Sequence, residues 1–153
     1  MKKYRLDLED TKEFGGVELF RIIALTSFLN VSVGDKGGYI AKEGNLSQSG
    51  DAWVSGDAWV SGNARVSGNA RVSGDAWVSG DADVFWISKI GSDLGTLTIF
   101  KTKDGLKLTR GCFIGTFDEF KQAVSKKDID CPYRKEYETL YPLIELKFKP
   151  NIS

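Results

Sequence analysis

Residues 50–85 read GDAWVS GDAWVS GNARVS GNARVS GDAWVS GDADVF, a six-residue unit repeated from Gly50 to Phe85. Ala and Val stand two apart in a unit and project to one face of an extended strand, while Trp or Arg and the closing Ser project to the other. Gly-Asp or Gly-Asn follows each strand, and these residues accept the left-handed backbone that a sharp corner demands. One unit is therefore a short strand plus a corner. So small a unit cannot bury its apolar side alone and must stack on its neighbours; three strands and three corners close a coil of about 18 residues. Gly38-Tyr-Ile-Ala-Lys-Glu and Gly44-Asn-Leu-Ser-Gln-Ser fit the same frame more loosely and bring the array to eight units. The strict phase of Ala and Val argues against a flexible Gly/Ser linker.

Outward residues one coil apart should stack. Trp53 is expected beneath Arg71, placed for cation–π contact. Trp59 is expected beneath Trp77, and Arg65 beneath Asp83 as a solvent-exposed ion pair of little net worth. The corners should stack Asp51 on Asn69, Asp57 on Asp75 and Asn63 on Asp81. Stacked aromatics stabilise neighbouring strands. Yet two exposed indoles on a flat face are costly to leave in water and mark an interface. Trp53, Trp59, Arg65, Arg71 and Trp77 are the candidate binding residues.

The flanks read as covers for the open ends of the stack, which would otherwise expose apolar side chains and unpaired backbone. Tyr4, Leu6 and Leu8 alternate with charges, Gly15-Gly16 turns, and Val17 to Leu25 returns, a β-hairpin pattern. Gly34 to Gly38 reads as a loop into the first coil. Val84 to Ile90 continues as strand, and Asp104-Gly105 between two apolar runs signals a second hairpin. Thr116-Phe-Asp-Glu119 fits a capping box, with Phe117, Phe120, Ala123 and Val124 on one helical face ending near Lys126-Lys127. Tyr133 to Tyr141 predicts a second helix that Pro142 interrupts or restarts, with Leu143 to Phe148 either helix or strand. The expected domains are an N-terminal hairpin cap at 1–37, the repeat at 38–87, and a C-terminal α+β cap at 88–153.

Lys and Arg total 21, as do Asp and Glu, so no global field draws the chain to nucleic acid or membrane. No run is long enough to span a bilayer, and Met1-Lys-Lys leads into alternating strand sequence rather than a signal-peptide core. Cys112 and Cys131 make no disulfide framework, so the cytoplasm is the expected compartment. Histidine is absent altogether.

The repeat resembles the left-handed β-helix of hexapeptide-repeat acyltransferases and γ-class carbonic anhydrases. That resemblance implies a mainly β fold: a left-handed parallel β-helix with an N-terminal β-hairpin and a small C-terminal α+β cap. The acyltransferases use a histidine base and the anhydrases bind zinc through histidines, so neither chemistry carries over to any position here. No other imidazole could serve near neutral pH, and turn chemistry already accounts for the repeat's Asp residues. No catalytic residue, metal ligand or cofactor is expected, and the chain reads as a non-enzyme.

A second resemblance rests on Gly37-Gly38-Tyr39-Ile40, Asn45-Leu46-Ser47-Gln48, GDAWVSGDAWVSG, Gly111-Cys112-Phe113 and Glu119-Phe120. With these the chain is similar, over nearly its whole length, to a group of largely uncharacterised phage and prophage hexapeptide-repeat proteins. It implies a small phage-encoded accessory protein of the host cytosol and no established site residues. Members often carry a histidine after the first C-terminal helix, where Lys127-Asp128-Ile129-Asp130 stands here. The resulting expectation is a phage-type binding protein that inhibits or modulates a host protein, an anti-defence role among them, working as a homo-oligomer, trimer or dimer. The alternatives are a sponge for a small nucleotide signal, sandwiched by Trp53 and Arg71 or by Trp residues brought together between subunits, and a purely structural trimerising module.

Overall fold

The computed structural model describes residues 2–148. Strands β1 (Tyr4–Phe14) and β2 (Val17–Ala24) form an antiparallel hairpin turned at Gly15-Gly16, both with positive φ. Their register slips between Asp7 and Thr11, a bulge that bends the outer half of the arm. β3 (Lys36–Ile40) lies antiparallel to β2. The repeat supplies four short strands, β4 (Trp53–Val54), β5 (Trp59–Val60), β6 (Arg71–Val72) and β7 (Trp77–Val78). Then follow β8 (Val84–Ile90), β9 (Gly95–Thr102), β10 (Gly105–Arg110) and β11 (Phe113–Thr116), and the helices α1 (Phe117–Ser125) and α2 (Pro132–Phe148). No helix among the described residues is long and apolar enough to cross a membrane.

The left-handed parallel β-helix with separate caps is not the architecture. The strands form three sheets: a five-stranded mixed sheet β1-β2-β3-β5-β7, a two-stranded parallel sheet β4-β6, and a four-stranded antiparallel sheet β11-β10-β9-β8. The period does set the parallel pairs, Trp53 opposite Arg71 and Trp59 opposite Trp77. The ladder within a unit is nevertheless brief, because Gly50, Gly56, Gly62, Gly68 and Gly74 all turn the chain at positive φ. The third column supplies only the isolated bridge Leu46–Val66. Since β3 pairs with β2 on one side and β5 on the other, the N-terminal hairpin is the outer half of a shared sheet and not a cap.

The lead-in is also out of phase with the repeat. Tyr39 pairs with Trp59, Ile40 with Val60 and Leu46 with Val66, 20 residues apart, against 18 for Trp53 and Arg71. The two extra residues lie between Leu46 and Trp53. Gln48 in that segment clamps the start of β1: its Oε1 accepts from the Lys3 and Tyr4 amides at 2.8 and 3.2 Å, and its Nε2 donates to the Tyr4 carbonyl at 3.2 Å. The expected loop at Gly34–Gly38 is strand from Lys36 onward. At the far end Gly80 is extended (φ −165°), a 3-10 turn follows at Asp81–Asp83, and the chain leaves as β8.

Two apolar cores result. Every Ala and Val of the repeat from Ala52 to Val78 is buried, together with Tyr4, Ile22, Ile40, Leu46 and Phe100. The second core joins Leu97, Ile99, Leu106 and Leu108 to the helices through Phe117, Phe120, Tyr137, Ile144 and Phe148. β9 separates them by its alternation, sending Phe100 to the repeat and Leu97 and Ile99 to the helices. Its neighbouring threonines close the open side of β6: Thr98 Oγ1 accepts from the Arg71 amide (3.0 Å) and Thr109 Oγ1 donates to the Arg71 carbonyl (2.7 Å). α1 carries the expected capping box, Thr116 Oγ1 accepting from the Glu119 amide and Glu119 Oε1 from the Thr116 amide. α2 runs unbroken through Pro142, which is exposed, so the carbonyl deprived of its partner can face water. Tyr137, Ile144 and Phe148 dock the helix on both sides of it.

Lys3 is buried at 4% exposure, its Nζ donating to the carbonyls of Ala52 (2.6 Å), Gly50 (3.3 Å) and Ser49 (3.5 Å). Burial pushes its pKa from 10.5 down to about 8; nearby Asp51 opposes the shift and Arg71 adds to it. Between these values the unfolded chain binds the proton and the folded chain releases it, so stability rises with pH across that window. Urea midpoints at about pH 7.5 and about pH 9.5 check this. The midpoint should rise in the natural chain more than in Lys3→Met; an equal change in both would contradict it.

Candidate binding surface

The outward column of the five-stranded sheet runs Tyr39, Trp59, Trp77 across β3, β5 and β7. The two indoles stand 5.4 Å apart at 60°. They are not the open pair that the repeat alone predicts. Phe14, at the end of β1, lies over both, 4.7 Å from Trp59 at 41° and 4.9 Å from Trp77 at 89°, within the range of favourable aromatic pairs. Both indoles are half-buried, whereas Phe14 is 46% and Val17 41% exposed. The outermost apolar surface here is therefore the hairpin tip.

A polar network holds the arm down. Arg21 Nε donates to Asp10 Oδ2 (2.8 Å), its NH2 to the Tyr39 hydroxyl (2.7 Å) and its NH1 to the Gly37 carbonyl (2.8 Å), while the Tyr39 hydroxyl donates to Asp10 Oδ1 (3.1 Å). Lys12 Nζ sits 4.6 Å from the Tyr39 ring centroid. Desolvation works to raise the Asp10 carboxyl, but the hydrogen bonds from Tyr39 and Arg21 outweigh it and hold it below the usual carboxylate range. The bulge between Asp7 and Thr11 and this network together aim Phe14 across the sheet.

The other expected residues are placed differently. Trp53 does lie beside Arg71 in the ladder, but no cation–π pair forms. The loop after β2 brings Phe28 edge-on to Trp53 (5.4 Å, 77°), Tyr4 closes another side (6.4 Å, 72°), and Trp53 is left 4% exposed. Arg71 instead donates to the Asp51 carbonyl at 3.4 Å and, in a short contact, to Asn30 Oδ1. Burial depresses its pKa, with only partial compensation from Asp51. Arg65 is exposed and makes no ion pair with Asp83, whose Oδ2 accepts from the Ser79 amide and hydroxyl, each at 3.0 Å. Of the corners, Asn63 Oδ1 accepts from the Asp81 amide (3.0 Å), while Asp75 pairs with Lys107 (2.8 Å). Sequence reasoning missed Phe14, Tyr39, Asn30 and Phe28. Phe14-Gly-Gly-Val17 carried a usable signal, two apolar residues flanking a hairpin turn that should be polar.

Residues 64–80 match the family model of the YdcK β-solenoid repeat. The matched stretch contains β6 and β7 and the corners between them, and it is similar to a repeat of the β-helix type. No curated protein matches the chain.

Proposed function

We propose that the chain acts by binding rather than by catalysis, as a phage-type protein that inhibits or modulates a host protein, a component of antiviral defence being the target class. The observation that carries the binding role is the aromatic cluster of Phe14, Trp59 and Trp77, with Phe14 and Val17 outermost. Rings fixed against one another lose little side-chain entropy when a partner covers them, and Trp is among the residues that dominate binding energy at protein interfaces. The sequence holds no histidine, which removes the commonest acid–base group near neutral pH. The phage setting and the host target rest on the resemblance to phage and prophage proteins. The nucleotide sponge is the weaker reading, since buried Trp53 offers no open face for stacking a base.

Affinity capture from host lysate tests this proposal. The natural chain should retain one discrete protein at fixed stoichiometry, and Phe14→Asp should lose it while keeping the natural circular dichroism and a cooperative urea transition, at a midpoint lowered by the lost ring contacts. Equal retention by both would remove the aromatic cluster from the interface. Retention of nothing but further copies of the chain would replace the host partner with a self-contact.

A further inference from the structure

A cleft of about 210 Å³ lies where the loop at Asn30, the repeat column and the four-stranded sheet meet. Ser55, Arg71 and Ser73 line it from the repeat, Thr96 and Thr109 from β9 and β10, and Phe113 forms an apolar wall. Arg71 is half-buried here, and its guanidinium has no carboxylate within ion-pair distance among the described residues. Its partners are the Asp51 carbonyl and the Asn30 amide oxygen. A guanidinium carries five N–H donors; its two direct acceptors are neutral, and the Asp51 carboxylate, beyond ion-pair distance, offsets its burial only in part. Removing a charge from water is costly unless an opposite charge or good hydrogen bonds replace the solvent. Neighbouring Lys3 adds to the positive field rather than relieving it.

The hydroxyls complete the donor set. Ser55 and Ser73 stand side by side just beyond the paired strands β4 and β6, since Arg71 pairs with Trp53 two residues before each. Thr96 Oγ1 is shared with Ser88 at 2.9 Å, and Thr109 Oγ1 gives its proton to the Arg71 carbonyl. β6 is pinned on both backbone groups of Arg71, so the side chain springs from a fixed base. The second arginine at the cleft, Arg110, already has a carboxylate partner: its NH2 donates to Asp93 and to the Ile90 carbonyl. We propose that this cleft binds a phosphate group, with Arg71 as the bidentate donor and the Ser55 and Ser73 hydroxyls bonding the remaining oxygens. Several donors from different directions match the oxygens of a phosphate better than the two of a carboxylate. The volume admits a phosphate and a small attached body, so the ligand is a small phosphate ester or the phosphate end of a larger molecule.

Titration of the full chain with inorganic phosphate, followed by amide and arginine side-chain NMR, tests the site. Arg71 Nε–H and the amides of Ser55, Ser73 and Thr109 should shift together along one saturating curve, while acetate at the same ionic strength leaves them in place. Arg71→Met should weaken phosphate binding about tenfold or more, in line with the loss of a charge-assisted pair. Because Arg71 also holds Asn30, the Ser55→Ala/Ser73→Ala double variant provides a second test that leaves that contact intact, and it too should bind more weakly. Shifts scattered over exposed lysines, or binding unchanged in both variants, would overturn the proposal. An acetate response equal to that of phosphate would overturn the choice of ligand.

Discussion

Gly62→Ala should lower the unfolding free energy by about 2–4 kcal/mol, among the largest single-residue losses available in the repeat. Two effects add. Gly62 has φ +64°, where an alanine is strained, and a Cβ there would sit 2.2 Å from the Ser79 carbonyl oxygen in the neighbouring corner. The contact is backbone against backbone, so no side-chain rotation relieves it. Gly111 separates the two terms: it has φ +59° but nothing within 4 Å of its Cβ position. Gly111→Ala should therefore cost only the conformational strain, about 1 kcal/mol. Urea denaturation of both variants measures the difference. Equal losses would mean that the corners at Gly62 and Ser79 are not stacked as described.

Asn45→Ala should cost about 2–4 kcal/mol through a different mechanism. Asn45 is fully buried, and its Oδ1 accepts from the amides of Ala41 (3.1 Å) and Lys42 (3.0 Å). Its Nδ2 donates to the carbonyls of Ala64 (2.8 Å) and Gly62 (3.2 Å). Truncation takes the side-chain partner from the Lys42 amide and the Gly62 and Ala64 carbonyls in the turn where the lead-in meets the repeat, the Ala64 carbonyl losing a buried bond, while the Ala41 amide keeps the Val60 carbonyl at 3.1 Å. Asn45→Asp sharpens the test, because a carboxylate would face the same two carbonyls. Its deficit should shrink as pH falls and the carboxyl regains a proton to donate. A pH-independent deficit, or an alanine variant as stable as the natural chain, would contradict this arrangement.

The identical hexads at 50–55 and 56–61 show where local sequence stops being informative. Both read GDAWVS, yet Trp53 is buried and Trp59 half-exposed. The difference comes from Phe28 and Tyr4 on one side and Phe14 on the other, all distant in the chain. What the period controls was legible: the buried Ala and Val columns, the parallel pairs of Trp53 with Arg71 and Trp59 with Trp77, and the glycine corners. Local chemistry also revealed the turns at Gly15-Gly16 and Asp104-Gly105 and the capping box at Thr116. The two-residue slip before Trp53 was hidden because Gly44-Asn-Leu-Ser-Gln-Ser keeps the unit's length while Leu46 takes the valine's place in the ladder. The merging of the hairpin with the repeat was hidden too, since strand pairing between Ile40, Phe20 and Val60 is set by register across sheets and not by any unit's own composition. Of the binding surface, the indoles were visible and their cover was not.

Native mass spectrometry of the chain purified from host lysate, beside Phe14→Asp, tests the binding role most directly, since it weighs partner and sister copies in one spectrum. The account predicts a hetero-complex of fixed stoichiometry for the natural chain and its absence for the variant. The same bare chain, or the same homo-oligomer, in both spectra would contradict it.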